Sequence, residues 1–321
     1  FVGARYAFAM GLPFLIACSS LFGELGAGNQ RERGGNAGAL ADSPSAGMQR
    51  GASIAPFAWA REPQESRPAS GHVFLQWRRA LAPDFDETFT PTEFSVPALD
   101  PPRGRVYVGT SHGRLWAFTA SGRLVYHRDL ESSIEAGVAL DRETNTLYVG
   151  TSDGLLHARR AEDGEEIWQS QIVGASGASS IGAAPLLWQD WVFVVTQDDV
   201  VVGLDRENGE ALWHFTRPSA PNRYHIVGHA GLQVANGRLL AAFSDGAVVS
   251  LEPESGALQW NTETAALGEV SGAQSGERFT DVDTTPLVVG DTAYVASFTK
   301  GVFGLDINSG TVRWQASQLT G

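Results

Sequence analysis

The chain has 321 residues, of which 43% are hydrophobic and only 18% charged, and its formal net charge is -13. That charge repels phosphate backbones and argues against nucleic acid as a partner, while 37 Gly and 9 Trp among so few charges suit a β-rich chain with many turns. The single cysteine, Cys18, rules out an internal disulfide framework and a cysteine-based metal cluster.

The chain opens on Phe1, and we read it as a fragment of a longer protein. Arg5 precedes a short apolar run from Tyr6 to Ala17. A basic residue, a short apolar run and a small residue before the cut form the plan of an export signal, and the run is too short to cross a bilayer comfortably. Leu15-Ile16-Ala17-Cys18 resembles a bacterial lipobox, which implies cleavage before Cys18 and its acylation. Residues 1–17 are thus expected to be a lipoprotein signal peptide, with Cys18 as the lipid attachment. Ser19 after the cysteine implies outer-membrane sorting, with the chain on the periplasmic face. Two or more acyl chains, at about 0.8 kcal/mol per buried methylene, suffice for a stable anchor.

Residues 18–71 are rich in Gly, Ala, Ser, Pro and Arg and show no apolar period. Such a segment buries too little surface to offset the entropy of ordering it. It reads as a flexible tether, with Ile54 to Trp59 as its one apolar exception.

From residue 72 onward a repeat takes over. Gly122, Gly164, Gly209, Gly256 and Gly310 each precede an aromatic residue by four positions: Tyr126, Trp168, Trp213, Trp260 and Trp314. Successive aromatics stand 42, 45, 47 and 54 residues apart. Periods in this range belong to repeat architectures such as propellers. The third repeat predicts four strands, at 184–188, 191–196, 200–205 and 211–215, joined by short polar links. The last link ends on a glycine able to take positive φ. No amphipathic helical stretch interrupts the series, which argues against a βαβ fold. A small antiparallel sheet with two apolar faces cannot cover both alone, so similar sheets stack around an axis. Residues 72–321 are therefore expected to form an all-β propeller of four-stranded antiparallel blades, with the aromatics wedged between blades. Val73-Phe74-Leu75-Gln76-Trp77 reads as an extra fourth strand at the start, with Trp77 as its aromatic. About five blades are expected to be present.

Gly203-Leu204-Asp205-Arg206-Glu207-Asn208-Gly209-Glu210-Ala211-Leu212-Trp213 and the matching run from Gly304 to Trp314 resemble the quinoprotein-type propeller repeat. Phe279-Thr280-Asp281-Val282-Asp283-Thr284-Thr285-Pro286 is similar to a segment of the BamB family, lipoproteins of the outer-membrane β-barrel assembly machine. The resemblance covers residues 72–321. It implies eight blades in the whole protein, no enzymatic activity, and binding to the central barrel protein, a BamA-like partner. Two segments would face that partner. One is Arg223-Tyr224-His225-Ile226, where this chain has Val227 in place of the family's arginine and keeps Gly228. The other holds Asp281 and Asp283. From the residues alone, Tyr224 and Ile226 suit an interface anchor, but Ile226 could equally start a strand and point inward. Asp281 and Asp283 could equally cap turn N–H groups.

The remaining function classes find less support. A quinoprotein dehydrogenase would hold Ca²⁺ with a Glu, Asn and Asp set and often a vicinal cysteine pair, and no cysteine follows Cys18. The histidines do not pair at metal-ligand spacing on one element, and neither a Gly-x-Ser-x-Gly elbow nor a phosphate-binding glycine loop occurs. No catalytic residue, metal site or cofactor is expected. A ligand-binding or sensor propeller is the alternative.

Overall fold

The computed structural model describes residues 75–81, 95–174, 177–217, 230–266, 282, 284–297 and 300–319. Contacts divide the chain into residues 1–60 and 61–321, and every described residue lies in the second unit. The expected signal peptide, Cys18 and tether lie outside the described residues.

Among the described residues, five four-stranded sheets follow one another. The first holds β1 (Ala98–Asp100), β2 (Arg105–Val108), β3 (Arg114–Thr119) and β4 (Leu124–Asp129). The second holds β5 (Ala139–Asp141), β6 (Thr146–Gly150), β7 (Leu155–Arg160) and β8 (Glu166–Gln171). A small hairpin not foreseen from sequence, β9 (Val173–Gly174) and β10 (Gly177–Ala178), leads to the third. That sheet is β11 (Leu186–Trp188), β12 (Trp191–Val195), β13 (Val200–Asp205) and β14 (Ala211–Thr216), close to the spans read from sequence. The fourth comprises β15 (Gln233–Ala235), β16 (Arg238–Ala242), β17 (Ala247–Leu251) and β18 (Leu258–Glu263). After a 3-10 turn at Thr264–Ala266 comes the fifth, β19 (Leu287–Val289), β20 (Thr292–Ser297), β21 (Gly301–Asp306) and β22 (Val312–Ala316). Every sheet runs in simple chain order with antiparallel pairs.

The inner strands of the second, third and fourth sheets are apolar on both faces because each of these sheets is covered on both. In β12, Val192 and Val194 pack toward the second sheet, while Phe193 and Val195 pack toward the fourth. Four apolar clusters result, one at each junction between consecutive sheets. This stacking is why the strands read as continuous Val and Leu runs instead of a half-buried alternation.

The link between third and fourth strands explains the repeat signature. In the third sheet the Asp205 carboxylate accepts the backbone N–H groups of Glu207 (2.8 Å) and Asn208 (3.2 Å). Asp306 does the same for Asn308 and Ser309 in the fifth. Gly209 then closes the turn with φ 76° and donates to the Asp205 carbonyl at 2.9 Å. A β-bulge follows in every sheet, one residue before the aromatic. Such a bulge re-aims the next side chain.

The re-aimed ring reaches the following sheet. Trp168 lies where a Cβ on Gly209 would stand, 2.5 Å away. Trp213 covers Gly256 and Trp260 covers Gly310 in the same way, and Tyr126 covers Gly164. Each ring also donates a hydrogen bond into that next turn: Trp213 Nε1 to Pro253 O at 3.0 Å, Trp260 Nε1 to Ile307 O at 2.9 Å, and Tyr126 Oη to Ala161 O at 3.0 Å. The turn glycine thus has two jobs, positive φ and an empty place for a neighbour's ring. Trp314 on the fifth sheet is 42% exposed, as no described sheet follows it.

The expected extra strand at the start lies partly outside the described residues. Leu75, Gln76 and Trp77 belong to no strand, and Val73 and Phe74 lie outside the described residues. Trp77 nonetheless takes the aromatic's place: its Nε1 donates to Ala120 O at 2.9 Å and its ring covers Gly122.

Candidate functional site

Antiparallel order gives the stack two distinct ends. At one end lie the links between first and second strands and between third and fourth. At the other lie the hairpins between second and third strands, with the connections that lead from one sheet to the next. The segments implicated from sequence are connections, so they leave the sheets at this second end.

Local chemistry builds that end from a repeated hairpin. Gly113 donates to Thr110 O, Gly154 to Thr151 O and Gly246 to Phe243 O, each at 3.0 Å, and all three glycines have positive φ. Asp199 takes the glycine's place in the third sheet with φ 60°, and Ser244 donates to its carboxylate at 2.9 Å. An aliphatic residue from the connection after the first, second and fourth sheets is pinned under the hairpin. Ile134 N donates to Thr110 O at 3.0 Å, Ile181 N to Thr151 O at 3.3 Å and Val282 N to Phe243 O at 3.4 Å. All three side chains are buried. Val282 is thus the counterpart of two isoleucines elsewhere in the chain, a correspondence the sequence did not reveal because the connections differ in length.

The two longest connections meet where they re-enter the sheets. Gly231 N, just before β15, donates to Thr285 Oγ1, just before β19, at 2.9 Å. At the exit from β14, Arg217 is clamped between Asp245 and Glu263, each at 2.8 Å, with its guanidinium over the Phe243 ring. Sequence reasoning missed Arg217, whose partners lie 28 and 46 residues away. The structure therefore fixes both ends of these connections. Arg223, Tyr224, His225, Ile226, Asp281 and Asp283 themselves lie outside the described residues.

Among the titratable groups tuned elsewhere are His157 and Asp141. His157 on β7 is 3% exposed, and neither ring nitrogen has a hydrogen-bond partner among the described residues. Burial, reinforced by the Arg159 charge, holds its pKa below the ordinary imidazole value despite Glu166 at 3.7 Å. Asp141, at the end of β5, is also buried. Burial disfavours its charge, but the Thr144 hydroxyl, the backbone N–H groups of Glu143 and Thr144, and Arg206 together lower its pKa. Among the described residues no group of three or more His, Cys, Asp or Glu is placed to hold a metal ion.

Short antiparallel sheets stacked in series and locked ring-on-glycine define a β-propeller of the quinoprotein-type repeat. The chain belongs to the family described as outer membrane protein assembly factor BamB, whose model matches residues 75–182 and 111–321. It is 26% identical over 225 residues to the outer membrane protein assembly factor BamB of Shewanella oneidensis, covering 66% of this chain and 54% of that one. It is 31% identical over 206 residues to that of Alteromonas naphthalenivorans, covering 64% and 44%. The chain spans about half the length of the curated relatives it matches. The crystal structure of BamB from Moraxella catarrhalis superposes with a TM-score of 0.59 at 24% identity, over 70% of this chain and 65% of that one. Quinohemoprotein alcohol dehydrogenase from Comamonas testosteroni shares the fold at a TM-score of 0.53 and 17% identity, over 71% and 43%.

Proposed function

We propose that this chain is part of a lipid-anchored, non-enzymatic scaffold for outer-membrane β-barrel protein assembly. It would sit on the periplasmic face, held by an acylated Cys18, and bind the machine's central barrel protein through Arg223, Tyr224, His225 and Ile226 in one long connection and Asp281 and Asp283 in the other. Family membership supports the assembly role. The single observation that favours a shared binding surface is the Gly231 to Thr285 hydrogen bond, which joins the two connections at their re-entry points. A rigid stack of sheets suits this task, since it presents loops without itself moving.

The test is capture of the purified periplasmic domains of the central barrel protein by the tagged chain. Ile226→Asp is expected to weaken that binding about tenfold or more, as loss of a central apolar anchor does. Its unfolding midpoint should stay unchanged. A chain that captures none of the barrel protein ends the assembly reading, and a folded Ile226→Asp variant of unchanged affinity removes the first connection from it.

A further inference from the structure

The opposite end of the stack carries a groove that the assembly reading does not use. It runs along the seam between the second and third sheets as two adjoining depressions of about 590 and 550 Å³ that share Asp190 and Arg206. Its floor is rigid. Asp141 and Arg206 form a largely buried ion pair across the seam at 3.4 Å. The Arg206 carbonyl accepts both the Tyr148 hydroxyl and the Trp168 indole N–H, each at 3.3 Å. The Arg206 N–H in turn donates to the Asp190 carbonyl at 2.9 Å, tying the tight Gln189-Asp190 hairpin to the neighbouring turn.

The walls are chemically mixed. Ile167, on the β8 bulge, is 50% exposed at the outer end beside Trp168, and the partly buried Leu187 and Trp188 line the inner end. Between these apolar patches stand the exposed carboxylates of Glu143, Asp190 and Glu207. None of the three has an ion-pair partner among the described residues, because Arg206 is committed to Asp141 and Arg142 donates to the Leu99 carbonyl. With Arg142 and Arg206 set against Asp141, Glu143, Asp190, Asp205 and Glu207, the groove keeps a net negative charge between two apolar ends.

We propose that this groove binds an extended peptide segment of a partner protein in which basic side chains alternate with aromatic or aliphatic ones. The basic residues would meet Glu143, Asp190 and Glu207, and the apolar ones would rest on Ile167, Trp168 and Leu187. A polar rim around apolar anchors on a preorganised floor is the arrangement that lets a short segment bind without a large ordering cost. A neutral apolar ligand would leave the three carboxylates desolvated and unpaired, and an acidic one would be repelled.

The experiment uses fluorescence anisotropy with the full chain and two labelled heptapeptides. One alternates lysine with phenylalanine and leucine; its counterpart has glutamate in place of lysine. The lysine peptide is expected to bind saturably and the glutamate peptide not at all. Combined Asp190→Lys and Glu207→Lys should weaken lysine-peptide binding about tenfold or more, and Ile167→Asp should weaken it too, with unfolding midpoints held. Equal binding of both peptides, no binding of the lysine peptide, or unchanged affinity in the folded double variant overturns the proposal. Ile226→Asp should leave peptide binding unchanged, so failure here is separable from failure of the assembly reading.

Discussion

The ring of Trp213 occupies the place where a Cβ on Gly256 would stand, 2.5 Å from Cε3, and its Nε1 donates to Pro253 O at 3.0 Å. One side chain thereby closes the junction between the third and fourth sheets. The same relation recurs between Tyr126 and Gly164, Trp168 and Gly209, and Trp260 and Gly310.

Replacing that glycine should cost twice. Gly256 has φ 68°, so Gly256→Ala adds left-handed strain of about 1–2 kcal/mol. The new methyl also strikes the indole, for about 1–3 kcal/mol more. Gly237 has a similar φ of 71° but open space around it. Gly237→Ala should therefore lose only the strain. Urea unfolding of the two variants separates the contributions, and equal losses would refute the ring-on-glycine lock.

Removing rings should follow their covering. Trp213→Ala opens a junction and should destabilise by about 3–5 kcal/mol. Trp314, 42% exposed, should cost well under half as much in the same assay. A Trp314→Ala loss equal to that of Trp213→Ala would show that exposure does not govern these positions.

His157 should make stability fall on mild acidification. The folded protein keeps it neutral because burial holds its pKa down. The unfolded chain takes up the proton as pH drops through about 6.5. Below that pH the unfolded state binds more protons, so stability declines by up to about 1.4 kcal/mol per pH unit until the folded ring also protonates. His157→Gln removes this slope. Unfolding midpoints at neutral and mildly acidic pH should differ less in the variant than in the parent, and identical slopes would show that His157 does not contribute.

Lipid attachment is checked by fractionation. If Cys18 is acylated as proposed, Cys18→Ser should move the full-length protein from the membrane to the soluble periplasmic fraction, because the acyl chains would supply the anchoring free energy. Continued membrane retention would assign the anchor elsewhere.

Much of this was legible in the residues. The Gly209-to-Trp213 spacing and its four repeats gave the blades, and the third sheet's strands fell within a residue or two of those expected. Trp77 reads from the sequence as a repeat aromatic, and it takes that place on Ala120 O and Gly122. What stayed hidden involves partners distant in sequence. Arg217 holds Asp245 and Glu263, Gly231 meets Thr285, and Asp141 reaches Arg206.

By itself the sequence determined the local units: turn glycines at positive φ, capping aspartates, apolar strands and an aromatic every 42 to 54 residues. These depend on backbone sterics and short-range hydrogen bonds, which a few neighbouring residues settle. Only the tertiary structure decided which glycine each ring covers, which connections lie side by side, and where His157 loses its water. Those outcomes follow from how one sheet's face seats on the next, and no single repeat contains that information.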